Sequence, residues 1–515
     1  LPAIFVAWTA MLGCSGSPHR HEALVVGLEA MPTDLDPRFA TDAGSSRIDD
    51  LVFRSLTRLD QRQEHVPDLA EEWHFDAPRS VRFRIRSDVT FSDGNPLTAA
   101  DVRATYESIL DPKTASPKRE DLAFLESIEA PDDHTVVFRF NSPFAPFLEA
   151  TTIGILPRSQ LASGERVQIG SGAYRVVSVA GDREIELSRR EERSGIAAIR
   201  FRVVPDDTVR ALELAKGTID LVENAVEPDN VRWLERHSKA CVRRIPGTTF
   251  QYIGVNFAEP HLQDVRVRRA IAQAIDRRSL IEHLLGGAAR LATGLLTPEH
   301  WAYDSHVERY PYDPVESRRL LDAAGYPDPD GDGPRVRFRL SYKTSTLDSR
   351  RRIGEALQAM LARVGIGLDV RSFEWGTFYD DIRRGNFQLY SLAWVGVSDP
   401  DFFFTMLHST MKPPRGSNRG GYVNAEVDRL TGLGRRTFER EKRKAVYAAV
   451  QRLAAEDLPV IPLWWADNVV VQSGRLCGFT PYPDGSLVSL TSAWLLPTSP
   501  PPDGRGPALC ACGDS

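Results

Sequence analysis

Between Asp313 and Gly365 the chain switches between two hydrophobic periods, and that switching is its tightest constraint on fold. Asp313-Pro314-Val-Glu316 places an acceptor at a helix cap, proline at the first helical position and an acid opposite the exposed N–H groups of the first turn. The helix it starts carries Leu320 and Leu321 and is expected to end at Gly325. Val336, Phe338, Leu340 and Tyr342 then alternate as a strand, and Ile353, Leu357, Met360, Leu361 and Val364 recur at helical spacing up to Gly365. Strands alternating with capped helices predict an α/β fold. The same grammar recurs elsewhere. Val81, Phe83 and Ile85 alternate with Arg82, Arg84 and Arg86, and Val136, Phe138 and Phe140 alternate less cleanly. Thr98 and Asp101 form a capping box for a helix carrying Val102, Tyr106 and Ile109. Val267, Ala270, Ile271, Ala274 and Ile275 follow Asp264 at helical spacing, and a last amphipathic helix runs from Glu441 to Glu456.

A chain of 515 residues has room for several domains at about 150 residues each. Its 42% hydrophobic and 26% charged residues exclude a disordered, collagenous or polytopic membrane protein. With 64 basic against 70 acidic residues, it offers no overall positive field for nucleic-acid phosphates. Leu1 to Cys14 is uncharged and shorter than the roughly 20 residues that span a bilayer, so it reads as the apolar part of an export signal. Met11-Leu12-Gly13-Cys14 resembles a bacterial lipobox, in which Cys14 is lipidated; an ordinary cleaved signal is the alternative. Residues 15–21 read as a linker, and 497–515, rich in proline and glycine, as a disordered tail. Cys14, Cys241, Cys477, Cys510 and Cys512 form neither a disulfide framework nor a zinc pattern. Cys510 and Cys512 are too close for a relaxed disulfide with each other and read as two exposed or mispairing thiols.

The run from Val81 to Val102, with Phe91-Ser92-Asp93-Gly94 and Pro96-Leu-Thr98-Ala-Ala-Asp101 at its centre, resembles the signature of family 5 solute-binding proteins, the oligopeptide, dipeptide and nickel receptors of ABC importers. Similar blocks follow in family order: Leu35-Asp36-Pro37, Pro67 to Trp73, Gly170-Ser-Gly172-Ala-Tyr174, Asp264 to Ala270, Ala274-Ile-Asp276-Arg277, Leu320 to Tyr326, Trp394 with Asp399-Pro400, and Asp457 to Pro462. Together they span Leu24 to Ala493. The resemblance implies a two-lobed periplasmic-binding-protein fold, type II-like, that closes by hinge motion, with an additional domain inserted in lobe I. On this basis lobe I comprises 22–54, 165–255 and 480–496, the inserted domain 55–164, and lobe II 256–479. It also implies an ABC permease and ATPase as partners, a bacterial periplasmic or cell-surface location, a monomer, and neither cofactor nor catalytic residues.

The stretch Leu392 to Phe404 corresponds to the family segment lining the cleft. Similar peptide receptors carry an Asp three residues after the Trp, where it pairs with the peptide amino group; here that position is Val397. Asp399 or Asp401 supplies the carboxylate only through a shifted backbone, so a non-peptide solute (saccharide, glycopeptide, opine or metal chelate) stays open beside a peptide. So does a sensory receptor without transport. Trp394 is large enough to wall a ligand. Arg419, in the loop Asn418 to Asn424 with Tyr422, suits a bidentate contact to a carboxylate or phosphate. Phe250 and Tyr252 alternate on a strand where the family crosses between lobes, and which of them meets the cleft is open. The expected ligand set is therefore Trp394, Asp399, Arg419, Tyr422, Tyr252 and Phe250. A bridge between Cys241 and Cys477 is expected only if both fall near the hinge. Asp328-Pro-Asp330-Gly-Asp332-Gly333 opens like a calcium loop but has Arg339 at its twelfth position, so it reads as a polar turn. His19-Arg-His21 reads as solvated linker, and no nucleophile elbow or zinc-protease motif is present.

Overall fold

The structure, a computed structural model, describes residues 23–163, 169–191, 195–331, 333–497 and 510. The expected export signal 1–14 with Cys14, the linker 15–21, Cys512 and most of the tail lie outside the described residues.

One 11-stranded sheet runs through most of the molecule. Its middle is two long antiparallel strands, Cys241–Val255 of 15 residues and Val460–Gln472 of 13. At about 3.3 Å per residue the longer strand reaches roughly 50 Å, more than one hydrophobic core needs. On one side follow Leu221–Glu223, Leu24–Leu28, Ala198–Val203, Glu184–Arg189 and Tyr174–Ala180; on the other, Leu389–Trp394, Phe338–Ser345 and Ile366–Phe373; the eleventh, Ala289–Leu291, pairs with Val460–Gln472 off this path. Phe338–Ser345 and Ile366–Phe373 are parallel and joined by the helix Asp348–Ala362, the crossover a parallel pair requires.

The sequence punctuation sets these elements. Asp313 accepts hydrogen bonds from the Val315 and Glu316 backbone N–H groups at 3.1 and 2.9 Å and caps Pro314–Ala323. Gly325 and Gly365 take φ of +91° and +81°, which only glycine adopts at little cost, and each ends its helix. Asp101 accepts from the Thr98 backbone N–H at 2.9 Å at the start of Ala99–Leu110. That helix packs on a separate antiparallel sheet, Ala70–Ala77, Ser80–Ile85, Thr135–Phe140 and Leu125–Asp132, around Phe83, Phe138, Phe140 and Phe147.

Five buried apolar clusters divide the chain into three bodies. Leu24, Ile48, Phe201, Val470, Leu476 and Leu490 share one core with a satellite around Val222 and Val471; the Phe83 cluster is the second body; Val255, Leu340 and Leu463, with Phe250, Phe403 and Tyr447 beside them, form the third. The long strands therefore change core partway along. Phe250 to Val255 pack with the third body and Val470 to Phe479 with the first, so the change falls inside the strands and not at 255/256 and 479/480. An unbroken strand carries no signal for a change of core, except where its ladder is interrupted. That interruption lies between Ile245 and Thr249, at Pro246-Gly247. A Cβ on Gly247 would sit 2.5 Å from the Ala466 carbonyl oxygen, so the two strands approach too closely there for any other residue.

The cysteines depart from expectation. Cys477 is bonded to Cys510, Cα atoms 5.5 Å apart, and the Cys510 N–H donates to the Gly474 carbonyl at 2.8 Å. Cys510 is thus neither an exposed thiol nor part of a free tail, and Cys241, itself disulfide-bonded, does not pair with Cys477. Proline and glycine content describes a lack of apolar anchors and is blind to a covalent one. In the Asp328 to Gly333 turn, Asp330 accepts from the Arg335 backbone N–H at 3.1 Å; Asp332 lies outside the described residues. Among the described residues no helix is long and apolar enough to cross a membrane.

Candidate solute-binding cleft

The six residues expected to bind ligand all lie in the third body, and five of them meet. Phe250 pairs with Trp394 across the sheet, and Tyr252, two residues on, shares its face. The Phe250 and Tyr252 rings stack at 5.6 Å, and Tyr252 and Trp394 at 6.4 Å. The Arg419 guanidinium lies over Trp394 at 4.6 Å and donates to the Tyr252 hydroxyl at 3.0 Å and the Tyr379 hydroxyl at 3.4 Å. Tyr422 caps the far side of this loop, its hydroxyl donating to Asp457 at 2.6 Å. Phe250, Tyr252 and Tyr422 are 0, 1 and 3% exposed, which makes them core and leaves no face for a ligand.

Asp399 stands apart, held on both oxygens by Arg443 at 2.6 Å each. Asp401 is paired with Arg435 at 3.2 Å and receives the Tyr447 hydroxyl at 3.2 Å; burial pushes its carboxyl up to about 6. Neither acid replaces the one missing at Val397, because each is committed to the body's own cations. Val397 itself is 9% exposed. Only the loop just after Trp394 turns outward, through Val395, Gly396 and Ser398, with Gly396 at φ +66°.

Those three residues are the third body's whole contribution to a cavity of about 1120 Å³. None of the six expected residues lines it. Its other walls come from the first body and the second: the helix Ala43–Val52, the segments around Arg54, Thr90 and Arg190, and the stretch Thr480 to Ser492. Asp42 caps that helix, accepting from the Ser45 N–H at 2.9 Å, and this turns Arg47 and Asp50 into the cavity. Most wall charges are already satisfied. Arg54 pairs with Asp68 at 2.9 Å; Arg189 donates to the Thr491 carbonyl at 2.6 Å; Arg190 donates to the Thr90 and Phe91 carbonyls at 2.9 and 2.8 Å. Lys118 donates to the Pro37 carbonyl at 2.7 Å, and burial lowers its pKa. The only local hint to this wall was the turn Tyr482-Pro483-Asp484-Gly485; the rest lies hundreds of residues apart in the chain.

The second body closes the mouth against the third. Glu149 accepts from the Ser398 hydroxyl at 2.5 Å while its other oxygen meets His65 Nε2 at 2.7 Å. The Ala145 N–H donates to the Arg435 carbonyl at 2.7 Å, and the Arg435 guanidinium sits 4.9 Å from the Phe144 ring and 4.0 Å from Phe404. Glu64 pairs with Arg440 at 2.5 Å, and Phe75 meets Phe438 edge-on at 5.2 Å.

Bodies bridged by two long crossing strands, with a large cavity between them, define a hinged receptor that surrounds its solute. The chain belongs to the bacterial extracellular solute-binding proteins, family 5, whose profile matches residues 64–413. It is similar to protein XP55 of Streptomyces lividans, 29% identical over 91% of this chain and 88% of that one. It is also similar to the oligopeptide-binding protein AppA of Bacillus subtilis, 25% identical over 93% of each. Among solved structures, NikA from Brucella suis in complex with Fe(III)-EDTA superposes with a TM-score of 0.84 at 21% identity, covering 92% of this chain and 100% of that one. This last likeness concerns the fold, two lobes of mixed α/β structure.

Proposed function

We propose that this chain is the extracytoplasmic receptor of an ABC importer, closing on a peptide or peptide-like solute and presenting the closed form to a membrane permease and its ATPase. The observation that carries the reading is the cavity of about 1120 Å³. It exceeds the roughly 300–1,000 Å³ of ordinary small-molecule sites, so it suits an extended solute better than a single amino acid or a lone ion. The name of AppA, an oligopeptide-binding protein, supports the same class. In this reading the first body is lobe I with the second inserted in it, the third is lobe II, and closure bends the long strands near Pro246-Gly247. The receptor acts as a monomer, without cofactor or bond chemistry, held at the bacterial surface through Cys14.

A second reading keeps the receptor and changes the solute to a saccharide, glycopeptide, opine or metal chelate. Val397, with Asp399 and Asp401 both committed to arginines, is what favours it. Native mass spectrometry of the chain purified without lipid, offered mixed peptides of two to nine residues, separates the two. Retained peptide masses with a matching thermal shift support the first reading. A protein that ignores every peptide and keeps a sugar or chelate mass replaces it with the second.

A further inference from the structure

Where the two long strands part, one carbonyl is held from both of them. Asn468, on Val460–Gln472, is 3% exposed and stands beside Gly247, where a Cβ would come within 3.0 Å of its side-chain oxygen. Its amide donates to the Tyr482 carbonyl at 2.7 Å and to the Pro483 carbonyl at 2.9 Å, and its oxygen accepts from the Asn224 side chain at 2.9 Å. Asn224 takes a left-handed φ of +56° and clamps Val469 through two hydrogen bonds of 2.8 and 2.9 Å, which ties Asn468 to the first body. From the other strand, the Thr248 N–H and hydroxyl reach the same Pro483 carbonyl at 3.2 and 3.3 Å. Thr248 lies past the interrupted ladder, on the stretch held by the third body: the Gly247 carbonyl accepts from Arg290 at 3.2 Å, and Arg290 pairs with Trp465 in the sheet. Pro483 belongs to the first body, between Phe479 and Leu487 of its core. The Thr248–Pro483 contact therefore spans the two halves at the pivot, and at these lengths a small movement breaks it.

The residues on either side of Pro483 face the solute space. Tyr482 and Asp484 line the cavity, and the Gly485 N–H closes the turn by donating to the Tyr482 carbonyl at 3.0 Å, with Gly485 at φ +80°. We infer that the turn 482–485 is the element through which a solute in the cavity sets the bend of the two long strands, with Asn468 and Thr248 as the positioning residues that join it to them. The inference rests on the reading of the cavity as the solute site. A solute seated against Tyr482 and Asp484 fixes the turn, and a fixed Pro483 carbonyl keeps Thr248 as its donor. The closed form is thereby favoured by a contact that the open form lacks. When the turn shifts in the absence of solute, Thr248 loses its acceptor and the halves part. Asn468 goes on satisfying the Pro483 carbonyl after Thr248 leaves, so opening strands no buried acceptor. The contact biases the equilibrium without locking it.

The test compares the purified chain with Asn468→Leu, which keeps the bulk and removes the donors to the turn, and Thr248→Val, which removes the hydroxyl alone. Small-angle scattering and amide hydrogen exchange are recorded without solute and with a pool of di- to nonapeptides; circular dichroism and urea unfolding establish that the variants are folded. Without solute, Asn468→Leu is expected to scatter as a more open particle and to exchange the amide at position 248 about tenfold faster than the parent, and Thr248→Val does the same to a smaller degree. With peptides, the parent closes and protects that amide. Asn468→Leu binds about tenfold more weakly, because affinity falls with the fraction of molecules able to close. A folded Asn468→Leu that matches the parent in scattering, exchange and peptide affinity overturns the coupling even if its urea midpoint falls, since a merely structural residue moves only the midpoint. Weaker binding with unchanged scattering and exchange overturns it too and makes Asn468 a support of the wall alone. If no chain binds any peptide, the peptide reading falls, and a match in the solute-free state by itself overturns the coupling. Where Asn468→Leu fails to fold, Thr248→Val decides by the same comparison.

Discussion

The two sides of the cleft are built on opposite principles. On the third body, Trp394, Tyr252, Phe250, Arg419, Asp399 and Tyr422 form an interior cluster behind Val395, Gly396 and Ser398, in which nearly every polar group is answered from within, so it holds the shape of that side and presents nothing to the cavity. The Trp394 Nε1, buried without a partner, is its one loose end. On the first body, Arg47 and Glu223 lack partners and Asp50 has one. Aromatic and arginine-rich motifs thus mark the side that holds its shape, and most of the cavity lining comes from segments whose sequence is locally bland.

The sharpest way to break this contrast is Arg443→Ala. It strands Asp399 in the interior, while Asp401 keeps Arg435, and removing one partner of a buried pair costs about 3–5 kcal/mol. Urea unfolding measures it. A variant of normal stability that no longer binds solute would move Asp399 from scaffold to ligand contact and collapse the distinction.

The next test concerns the unfinished side. The Glu223 carboxyl is raised by burial from 4.5 to about 7, so the folded empty receptor holds a proton there that the unfolded chain has lost. The neutral form's contribution is complete below about pH 4.5 and disappears as pH rises toward 7, a loss of about 3 kcal/mol. Glu223→Gln removes that slope and makes the empty protein more stable than the parent at pH 8. Unfolding followed from pH 4.5 to 8 reads it; parallel curves for parent and variant would mean that a donor already answers Glu223.

A smaller effect is expected from Tyr252→Phe. Arg419 loses its 3.0 Å partner but keeps Trp394 and Tyr379, so stability falls by about 1 kcal/mol and solute affinity by less than twofold. A tenfold loss of affinity in calorimetry would show the aromatic wall touching solute after all. Smallest is Arg440→Ala at the mouth. Its pair with Glu64 is exposed and worth no more than about 1 kcal/mol, so the thermal midpoint stays nearly fixed and the solute off-rate rises by at most about fivefold. Stopped-flow fluorescence with a displaced peptide reports the rate.

The sequence carried what short-range rules govern. Asp313 announces a helix because its carboxylate acts two and three residues away, and Gly325 and Gly365 end helices by their own φ angles. Thr98 and Asp101 were legible on the same grounds, and the run of family blocks fixed the architecture and the receptor class. What escaped were contacts between distant positions. Asp399 meets Arg443 44 residues on, and Asp50 meets Ser486 across 436 residues, so nothing local tells whether an acid is spent or available. The point where the long strands change core was nearly as hidden, with Pro246-Gly247 its one visible trace. The bond from Cys477 to Cys510 was hidden by the composition of the stretch around it.

The pairing of Cys241–Val255 with Val460–Gln472 bears on how such a receptor moves. A single connecting strand would act as a ball joint, letting one half swivel and tilt in any direction and scattering the closed poses. Two strands laced side by side behave like a strap hinge: they bend together across their shared plane and resist torsion, since twisting one would tear its ladder to the other. Motion is thereby reduced to one axis, and each closure returns the Ser398 hydroxyl to Glu149 and delivers the same outer surface to whatever reads it.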